Sequence, residues 1–97
     1  MIDRDCIFCK IAGGDIPSST VYEDEQFRVL LDLSPATKGH ALILPKQHYA
    51  NIFEIDENVL RDLIVLAKKV ASAMKETLNC DGVNIVQNNG EAAGQTV

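Results

Sequence analysis

The order of apolar and polar residues predicts a small set of strands separated by turns. Short apolar runs bounded by turn-forming residues are typical of β-strands, and the chain has four of them, at residues 20–23, 27–32, 40–45 and 83–87. The first two lie on either side of the acidic turn at Asp24 and Glu25. The second run is almost entirely apolar after Arg28, which predicts that both faces of this strand are covered. The third run ends at Pro45, a residue that terminates strands.

Two helices are also predicted, one short and one long. Asp5 precedes the run at residues 6–12, which the glycines at 13–14 stop. This arrangement predicts two helical turns with Asp5 as the N-cap. Asp56 is the expected N-cap of the long helix, and residues 79–82 are expected to close it.

The long helix carries one apolar stripe. Its members recur at helical spacing and are Leu60, Leu63, Ile64, Ala67, Val70, Ala71, Met74 and Leu78. Val59 and Leu66 widen this stripe beyond what one sheet surface requires. Two explanations are open: part of the helix packs on another subunit, or the helix lies deeper in its own core.

Together these elements predict a single α+β domain over residues 1–97, with a mostly antiparallel sheet, one long helix and a short N-terminal helix. The formal net charge is -5, from 14 acidic and 9 basic residues. This balance argues against nonspecific binding to nucleic acids or to anionic membranes. The longest apolar run is too short to span a bilayer, and the N-terminus lacks the basic and apolar regions of a signal peptide. Three cysteines do not favour a disulfide framework, so we expect a cytoplasmic protein.

The first candidate for chemistry is the pair Cys6-x-x-Cys9. Its spacing lets two thiolates reach one ion from a short helical turn, and His48, in a polar loop after Pro45, is the best candidate for a third ligand. No fourth ligand is obvious. Two alternatives are open: a thioredoxin-like redox pair, which expects a preceding strand that is not predicted here, or two half-buried cysteines that bind nothing.

The second candidate is the Gly/Asn-rich loop at residues 88–96. It combines two glycines, amide side chains and the hydroxyl of Thr96, which suit phosphate oxygens without adding charge. The alternative is a flexible surface connection. Such a loop normally precedes a further element, so we expect the domain to stop before its reacting strand. Asp32 is placed to accept ribose hydroxyl groups or to form a turn, and His40 is either structural or catalytic.

Taken together, these segments resemble the histidine triad family of nucleotide hydrolases and transferases, most closely its small zinc-containing bacterial members of the Hint branch. The resemblance covers essentially the whole chain. It rests on the order and spacing of six motifs, at residues 6–11, 22–25, 31–35, 38–40, 44–48 and 88–97.

The resemblance implies roles for individual residues. Phe8 and Leu33 would flank a purine base, and Asp32 would bind the ribose. The α-phosphate would lie on the last loop, held by Asn88, Gly94, Gln95, Thr96 and Val97. His40 would support the reacting histidine, and Cys6, Cys9 and His48 would hold a structural zinc ion, with a fourth ligand from the first triad histidine. The family also implies a homodimer that pairs through the long helix and a joined sheet.

One departure from the family is decisive for activity. The family motif H-x-H-x-H would begin just past Val97 and is not among these residues. Its middle histidine attacks the α-phosphorus and forms a covalent nucleotidyl intermediate. We therefore expect the full-length protein to hydrolyse nucleoside phosphoramidates or related AMP-containing substrates, and the 97-residue chain to be inactive. The alternatives are a noncatalytic nucleotide-binding or zinc-stabilised interaction domain, and a redox protein in which Cys6 and Cys9 cycle as a disulfide.

Overall fold

The computed structural model describes residues 5–14, 19–31 and 40–97. Within them the elements are α1 (Ile7–Ala12), β1 (Thr20–Glu23), β2 (Phe27–Leu31), β3 (Ala41–Pro45), α2 (Glu57–Leu78) and a 3-10 turn at Glu91–Ala93. An antiparallel sheet, one long helix and a short N-terminal helix confirm the predicted α+β class. Asp32, Leu33 and the loop at 34–39 lie outside the described residues.

The sheet has the order β1-β2-β3, with both neighbouring pairs antiparallel. Adjacent residues of a strand point to opposite faces, so Val29 and Leu30 of the central strand β2 report on the two faces separately. Val29 is 0% exposed and Leu30 is 3% exposed. The prediction that both faces of this strand are covered is therefore confirmed.

A different helix covers each face of the sheet. One face packs against α1, in a cluster formed by Ala12, Leu30 and Leu44 together with Phe8, Ile11 and Leu42. The other face packs against α2, in a cluster formed by Phe27, Val29 and Leu66 together with Ala41, Ile43, Val59, Leu63 and Val70. This layering holds α1 over β3, on the side of the sheet opposite the long helix.

Asp24 shapes the turn between β1 and β2. Its carboxylate accepts hydrogen bonds from the backbone N–H groups of Gln26 and Phe27, each at 2.8 Å. The Tyr22 hydroxyl donates to the same carboxylate at 2.9 Å. This donor set explains why the chain reverses here, since an aspartate that bonds its own backbone favours a turn over a continued strand.

The inward face of α2 contains most of the predicted stripe together with Val59 and Leu66. Leu66 is buried in the core beside Val59, Leu63 and Val70, whereas Ile64, a predicted stripe member, is 50% exposed. The sheet therefore packs against Val59 and Leu66, which we expected only to widen the stripe, as well as against the stripe members Leu63 and Val70. Although α2 has 22 residues, no helix in the described ranges is long and apolar enough to cross a membrane.

The predicted cap of α2 is confirmed, and that of α1 is wrong. The Asp56 carboxylate accepts from the N–H groups of Asn58 at 2.8 Å and Val59 at 3.2 Å. In α1 the N-cap is Cys6 rather than Asp5, and its side chain makes no capping bond. Cys6 has the extended backbone from which a helix starts (φ -88°, ψ 120°), so the helix begins one residue later than predicted.

The predicted fourth strand is wrong. Residues 83–87 have no strand structure, and the apolar side chains of Val83, Ile85 and Val86 are 43%, 61% and 73% exposed. A strand requires a ladder of hydrogen bonds to a neighbour, and this segment pairs with none of the three described strands. Apolar composition alone therefore did not determine its structure.

Candidate functional site

Cys6, Cys9 and His48 come together where α1 meets the end of β3. One ligand atom from each residue lies within 4.8 Å of the others, and the Sγ of Cys9 is 3.2 Å from the Nδ1 of His48. Cys9 is buried, and the other two are half-buried. The structure thus brings together the three residues that the sequence suggested as metal ligands.

The local fold explains this meeting. Cys6 caps α1 and Cys9 lies in its first turn, so their three-residue separation places both thiols on one side of the helix. Phe8 and Ala12 pack with Leu44 of β3 and hold the helix over that strand. His48 lies three residues past the end of β3, which brings its imidazole to the thiols.

The three residues fit a zinc ion. Tetrahedral zinc with one nitrogen and two sulfur ligands separates those atoms by roughly 3.5–3.8 Å, since the Zn–N distance is about 2.0 Å and the Zn–S distance about 2.3 Å. The distance of 3.2 Å between the Sγ of Cys9 and the Nδ1 of His48 is near this range. The other two distances among the three ligand atoms are at most 4.8 Å, so small side-chain rotations would bring them to it. A buried thiol beside an imidazole is also a donor set that zinc prefers.

Residues 88–97 form a compact loop that closes on itself. Gly90 and Gly94 have φ values of 93° and 96°, in the left-handed region that favours glycine. The carbonyl of Gly90 accepts from the N–H groups of Ala93 and Gln95, both at 3.1 Å. The prediction of a glycine-dependent loop therefore has a backbone basis at these two positions.

Two side-chain amides dock this loop onto the segment that follows His48. The Nε2 of Gln95 donates to the carbonyl of Ala50 at 2.5 Å, and the Oδ1 of Asn89 accepts from the N–H of Ile52 at 2.7 Å. These two bonds attach the loop near both of its ends to another part of the chain.

Asn88 and Thr96, unlike Asn89 and Gln95, do not attach the loop to the rest of the chain that the structure describes. Neither makes a hydrogen bond with the rest of the described chain, and both are exposed. The Asn88 side chain lies across Gly94, where an added Cβ would come within 3.5 Å of its Nδ2. Their polar groups are available to a ligand that approaches the loop.

A cavity of about 190 Å³ lies between the metal cluster and the loop. Its lining combines the three candidate ligands with parts of the predicted nucleotide site and consists of Cys6, Phe8, Cys9, Leu44, Pro45, Gln47, His48, Tyr49, Ala50, Gln95 and Val97. A wider depression of about 440 Å³ on the outer face of α2 contains none of the predicted site residues. The smaller cavity is the candidate site, because the three possible metal ligands and part of the predicted nucleotide site line it.

Three other predicted site residues, His40, Asp32 and Leu33, are not among the described residues seen at the cavity. His40 is exposed immediately before β3, at the end of the strand opposite to His48, and does not line the cavity. The positions proposed for the ribose and for one side of the base, Asp32 and Leu33, fall outside the described residues.

Sequence reasoning missed the contribution of the segment after His48. Tyr49 and Ala50 line the cavity, and Asn89 attaches the loop to Ile52. No sequence signal marks Ala50, since it acts through its backbone carbonyl. Asn89 had a signal, as one of two adjacent asparagines before Gly90, but the sequence did not distinguish the asparagine that docks the loop from the one that faces outward.

Comparison with known proteins shows which family the chain is similar to. The HIT domain family model matches residues 13–97. The chain is 45% identical over 94 residues to "Protein hit" of Bacillus subtilis, covering 97% of this chain and 65% of that protein. It is 43% identical over 96 residues to adenosine 5'-monophosphoramidase HNT1 of Saccharomyces cerevisiae, covering 99% of this chain and 58% of that protein.

One similar solved structure is that of a zinc-bound protein. The structure of a zinc-bound histidine triad family protein from Mycobacterium smegmatis superposes with a TM-score of 0.89 at 40% identity, covering 95% of this chain and 67% of that one. The fold is that of a small α+β domain, and the chain spans about two thirds or less of the length of these relatives. The chain belongs to the histidine triad (HIT) family.

Proposed function

We propose that this chain carries the purine nucleotide site of a histidine triad hydrolase, with AMP or an AMP-containing phosphoramidate as its ligand. The observation that carries the proposal is the loop at 88–97, which Asn89 and Gln95 attach to the segment after His48 while Asn88 and Thr96 keep their polar groups available. Uncharged donors suit a phosphate here, because the net charge of -5 makes the overall field of the chain unfavourable to anions. The similarity to an adenosine 5'-monophosphoramidase supports the substrate class.

The nucleotide would lie along the cavity with its phosphate at the loop. Phe8, which is half-buried at the cavity wall, and Leu33 would flank the base. Asp32 would accept the ribose hydroxyl groups. The phosphate would lie on the loop, against the side chains of Asn88 and Thr96 and the backbone of Gly94, Gln95 and Val97, and His40 would support the reacting histidine.

A zinc ion held by Cys6, Cys9 and His48 would be structural. When bound it would supply a cross-link between α1 and the segment after β3, which stabilises a domain with a small core. The chemistry at phosphorus would belong to other residues. In this proposal the chain's own loop places the α-phosphate and donates hydrogen bonds to its oxygens as charge develops.

Turnover would need the H-x-H-x-H segment, since neither His40 nor His48 is free for nucleophilic attack in these roles. In a protein that contains that segment, the middle histidine would attack the α-phosphorus, the leaving amine would depart, and water would release AMP. A polypeptide limited to these 97 residues would bind the nucleotide without turnover.

The direct test is calorimetric titration of the purified chain with AMP, followed by an assay with an adenosine phosphoramidate. We expect saturable binding at one site and no release of AMP from the substrate. Hydrolysis should appear when the family segment is present after Val97. A chain that shows no AMP binding at millimolar nucleotide would overturn the assignment.

A second candidate is a noncatalytic, zinc-stabilised interaction domain. It is favoured by the metal cluster, because Cys6, Cys9 and His48 already lie together and a metal ion there would need no nucleotide. Tight AMP binding combined with absence of turnover in the longest natural form of the protein would support this candidate over the hydrolase.

Two further features belong to the proposal. A homodimer would use the outward face of α2, where Ile64 and Val65 are 50% and 53% exposed. A cytoplasmic location would keep the thiols of Cys6 and Cys9 reduced and able to bind zinc.

A further inference from the structure

The side-chain amide of Gln95 is committed entirely to the backbone. Its Oε1 accepts from the N–H of Gly90 at 2.7 Å. Its Nε2 donates to the carbonyl of Val97 at 2.9 Å and to the carbonyl of Ala50. Both amide hydrogens and one of the two lone-pair positions are therefore in use.

This commitment separates Gln95 from its neighbours in the loop. A phosphate oxygen accepts hydrogen bonds, and Gln95 has no further hydrogen to donate. Asn88 and Thr96 do, because neither is bonded to the rest of the described chain. The loop thus divides between side chains that can meet a ligand and one that holds the loop in shape.

The contact to Ala50 also leads to the metal cluster. Ala50 lies two residues after His48, and both line the same cavity. The imidazole of His48 is in turn 3.2 Å from the thiol of Cys9. A short and continuous path therefore runs from α1 through His48 and Ala50 to the loop that Gln95 closes.

We propose that Gln95 is a positioning residue that couples the metal cluster to the phosphate loop, so that metal binding at His48 orders residues 90–97. The chemical identity of the loop's ligand rests on the proposed function, whereas the coupling does not. Fixing His48 restricts the Ala50 carbonyl, and the amide of Gln95 transmits that restriction to Gly90 and Val97. Gln95 acts on the ligand through these backbone groups.

The coupling has a reciprocal consequence. If zinc tightens nucleotide binding by some factor, the nucleotide must tighten zinc binding by the same factor. We expect a factor of about fivefold or more, at the lower end of ordinary coupling between sites. Substitution of Gln95 should bring this factor close to one.

The first experiment measures amide hydrogen exchange in the segment 90–97, with zinc and with a chelator, in the absence of nucleotide. In the wild-type chain we expect zinc to slow exchange there. In Gln95→Ala this slowing should disappear, while the matched variant Asn88→Ala should keep it. Zinc that leaves the wild-type loop unchanged, or that protects the loop equally in Gln95→Ala, would overturn the proposal.

The second experiment measures AMP affinity in the same two metal states. Asn88→Ala should weaken AMP binding by the same factor in both states, because it removes a direct contact. Gln95→Ala should weaken binding mainly in the zinc-loaded state. Equal weakening in both states would identify Gln95 as a direct phosphate ligand and overturn the positioning role.

Two safeguards keep the outcomes distinct. If Gln95→Ala does not fold, Gln95→Glu keeps the acceptor for Gly90 and removes both donors, and the same loss of zinc-dependent protection is expected. If AMP does not bind the wild-type chain at all, the proposed function fails, yet the exchange experiment still decides the coupling.

Discussion

The thiol of Cys9 lies 3.2 Å from the Nδ1 of His48, although the two residues are 39 positions apart. One belongs to α1 and the other follows β3, so their contact joins the N-terminal helix to the segment that leaves the sheet. A metal ion at this point would connect the same two segments. The stability of the domain should therefore depend on zinc.

Cys9→Ser tests this dependence. A serine hydroxyl is a poor zinc ligand compared with a thiolate, so we expect the zinc content and the melting temperature to fall together. Each kcal/mol of lost stability should lower the midpoint by about 4–8 °C in a domain of this size. Zinc content is measured on purified protein by atomic emission, and the midpoint by calorimetry.

The matched control for Cys9→Ser is Cys80→Ser. Cys80 is half-buried outside the cluster, with its thiol near the carbonyl of Met74. We expect its substitution to leave the zinc content unchanged. A Cys9→Ser protein that keeps both its zinc and its midpoint would show that the cluster holds no structural metal.

Asp32→Ala tests the proposed ribose contact. A carboxylate that accepts hydrogen bonds from ribose hydroxyl groups contributes roughly 1.5–3 kcal/mol, so AMP affinity should fall by a corresponding factor in calorimetric titration. Asp81→Ala, at an exposed position after α2, serves as the charge-matched control and should bind AMP normally. Unchanged affinity in Asp32→Ala would remove Asp32 from the site.

Gly94→Ala tests the shape of the loop. A side chain at φ 96° costs about 1–2 kcal/mol, and its Cβ would lie in ordinary van der Waals contact with the Asn88 amide, at 3.5 Å. We expect weaker AMP binding and a lower free energy of unfolding. Titration and denaturant unfolding measure the two effects separately.

Two other glycines provide controls for Gly94→Ala. Gly90→Ala carries the same kind of strain, at φ 93°, but its Cβ meets no atom within 4 Å. Gly82→Ala has neither strain nor contact and should bind AMP normally. If Gly90→Ala weakens binding as much as Gly94→Ala does, the contact with Asn88 has no separate effect.

The hairpin formed by β1 and β2 should lose stability in acid. A hydrogen bond from Lys46 lowers the pKa of Glu23 from its ordinary value of 4.5, with Arg28 also contributing. Burial by itself would raise the pKa of Asp24, but the N–H donors of Phe27 and Gln26 outweigh it, so that pKa lies below 3.8. Lowered carboxyl pKa values add stability above their ordinary range, and that stability is lost as the pH falls through the folded values.

Glu23→Gln isolates this effect. Its unfolding free energy should fall less steeply than that of the wild type between pH 5 and lower values, because the ion pairs to Lys46 at 2.6 Å and Arg28 at 2.8 Å are already absent. Glu25→Gln, in the same exposed turn, should follow the wild-type curve. Chemical denaturation at a series of pH values makes the comparison, and parallel curves for Glu23→Gln and wild type would contradict it.

The predictable parts of the fold are those that local chemistry determines. Asp56 capped α2 as expected because its carboxylate bonds the first N–H groups of the helix, and the turn at Asp24 follows from the same chemistry. The segment at 83–87 looked like a strand by composition, but a strand exists only with a partner. Composition contains no information about that partner.

In the candidate site, too, the features set by local sequence were predictable and those that depend on distant residues were not. The spacing of Cys6 and Cys9 within one helical turn was visible in the sequence, and His48 was the natural third ligand. The role of Gln95 was not visible, because an amide side chain can meet either a ligand or a backbone group. Only the positions of Gly90 and Ala50 show which of these it does.

The two faces of α2 give the last prediction. Leu66 is 9% exposed and packs with Phe27 and Val29, so Leu66→Ala should cost about 2–5 kcal/mol through the cavity it leaves. Ile64 is 50% exposed, so Ile64→Ala should cost much less in a monomer. Denaturant unfolding of both variants at one low protein concentration measures this difference.

The same pair tests the proposed homodimer when protein concentration is varied. If the outward face of α2 is covered by a second copy, the unfolding midpoint of the wild type should rise with concentration. Ile64→Ala should weaken that rise, because it removes an interface side chain, whereas Leu66→Ala should lower the midpoint at every concentration and keep the rise. A wild-type midpoint that stays constant over a hundredfold range, together with a monomer mass in sedimentation, would rule out this interface and leave Ile64 as a solvent-facing residue.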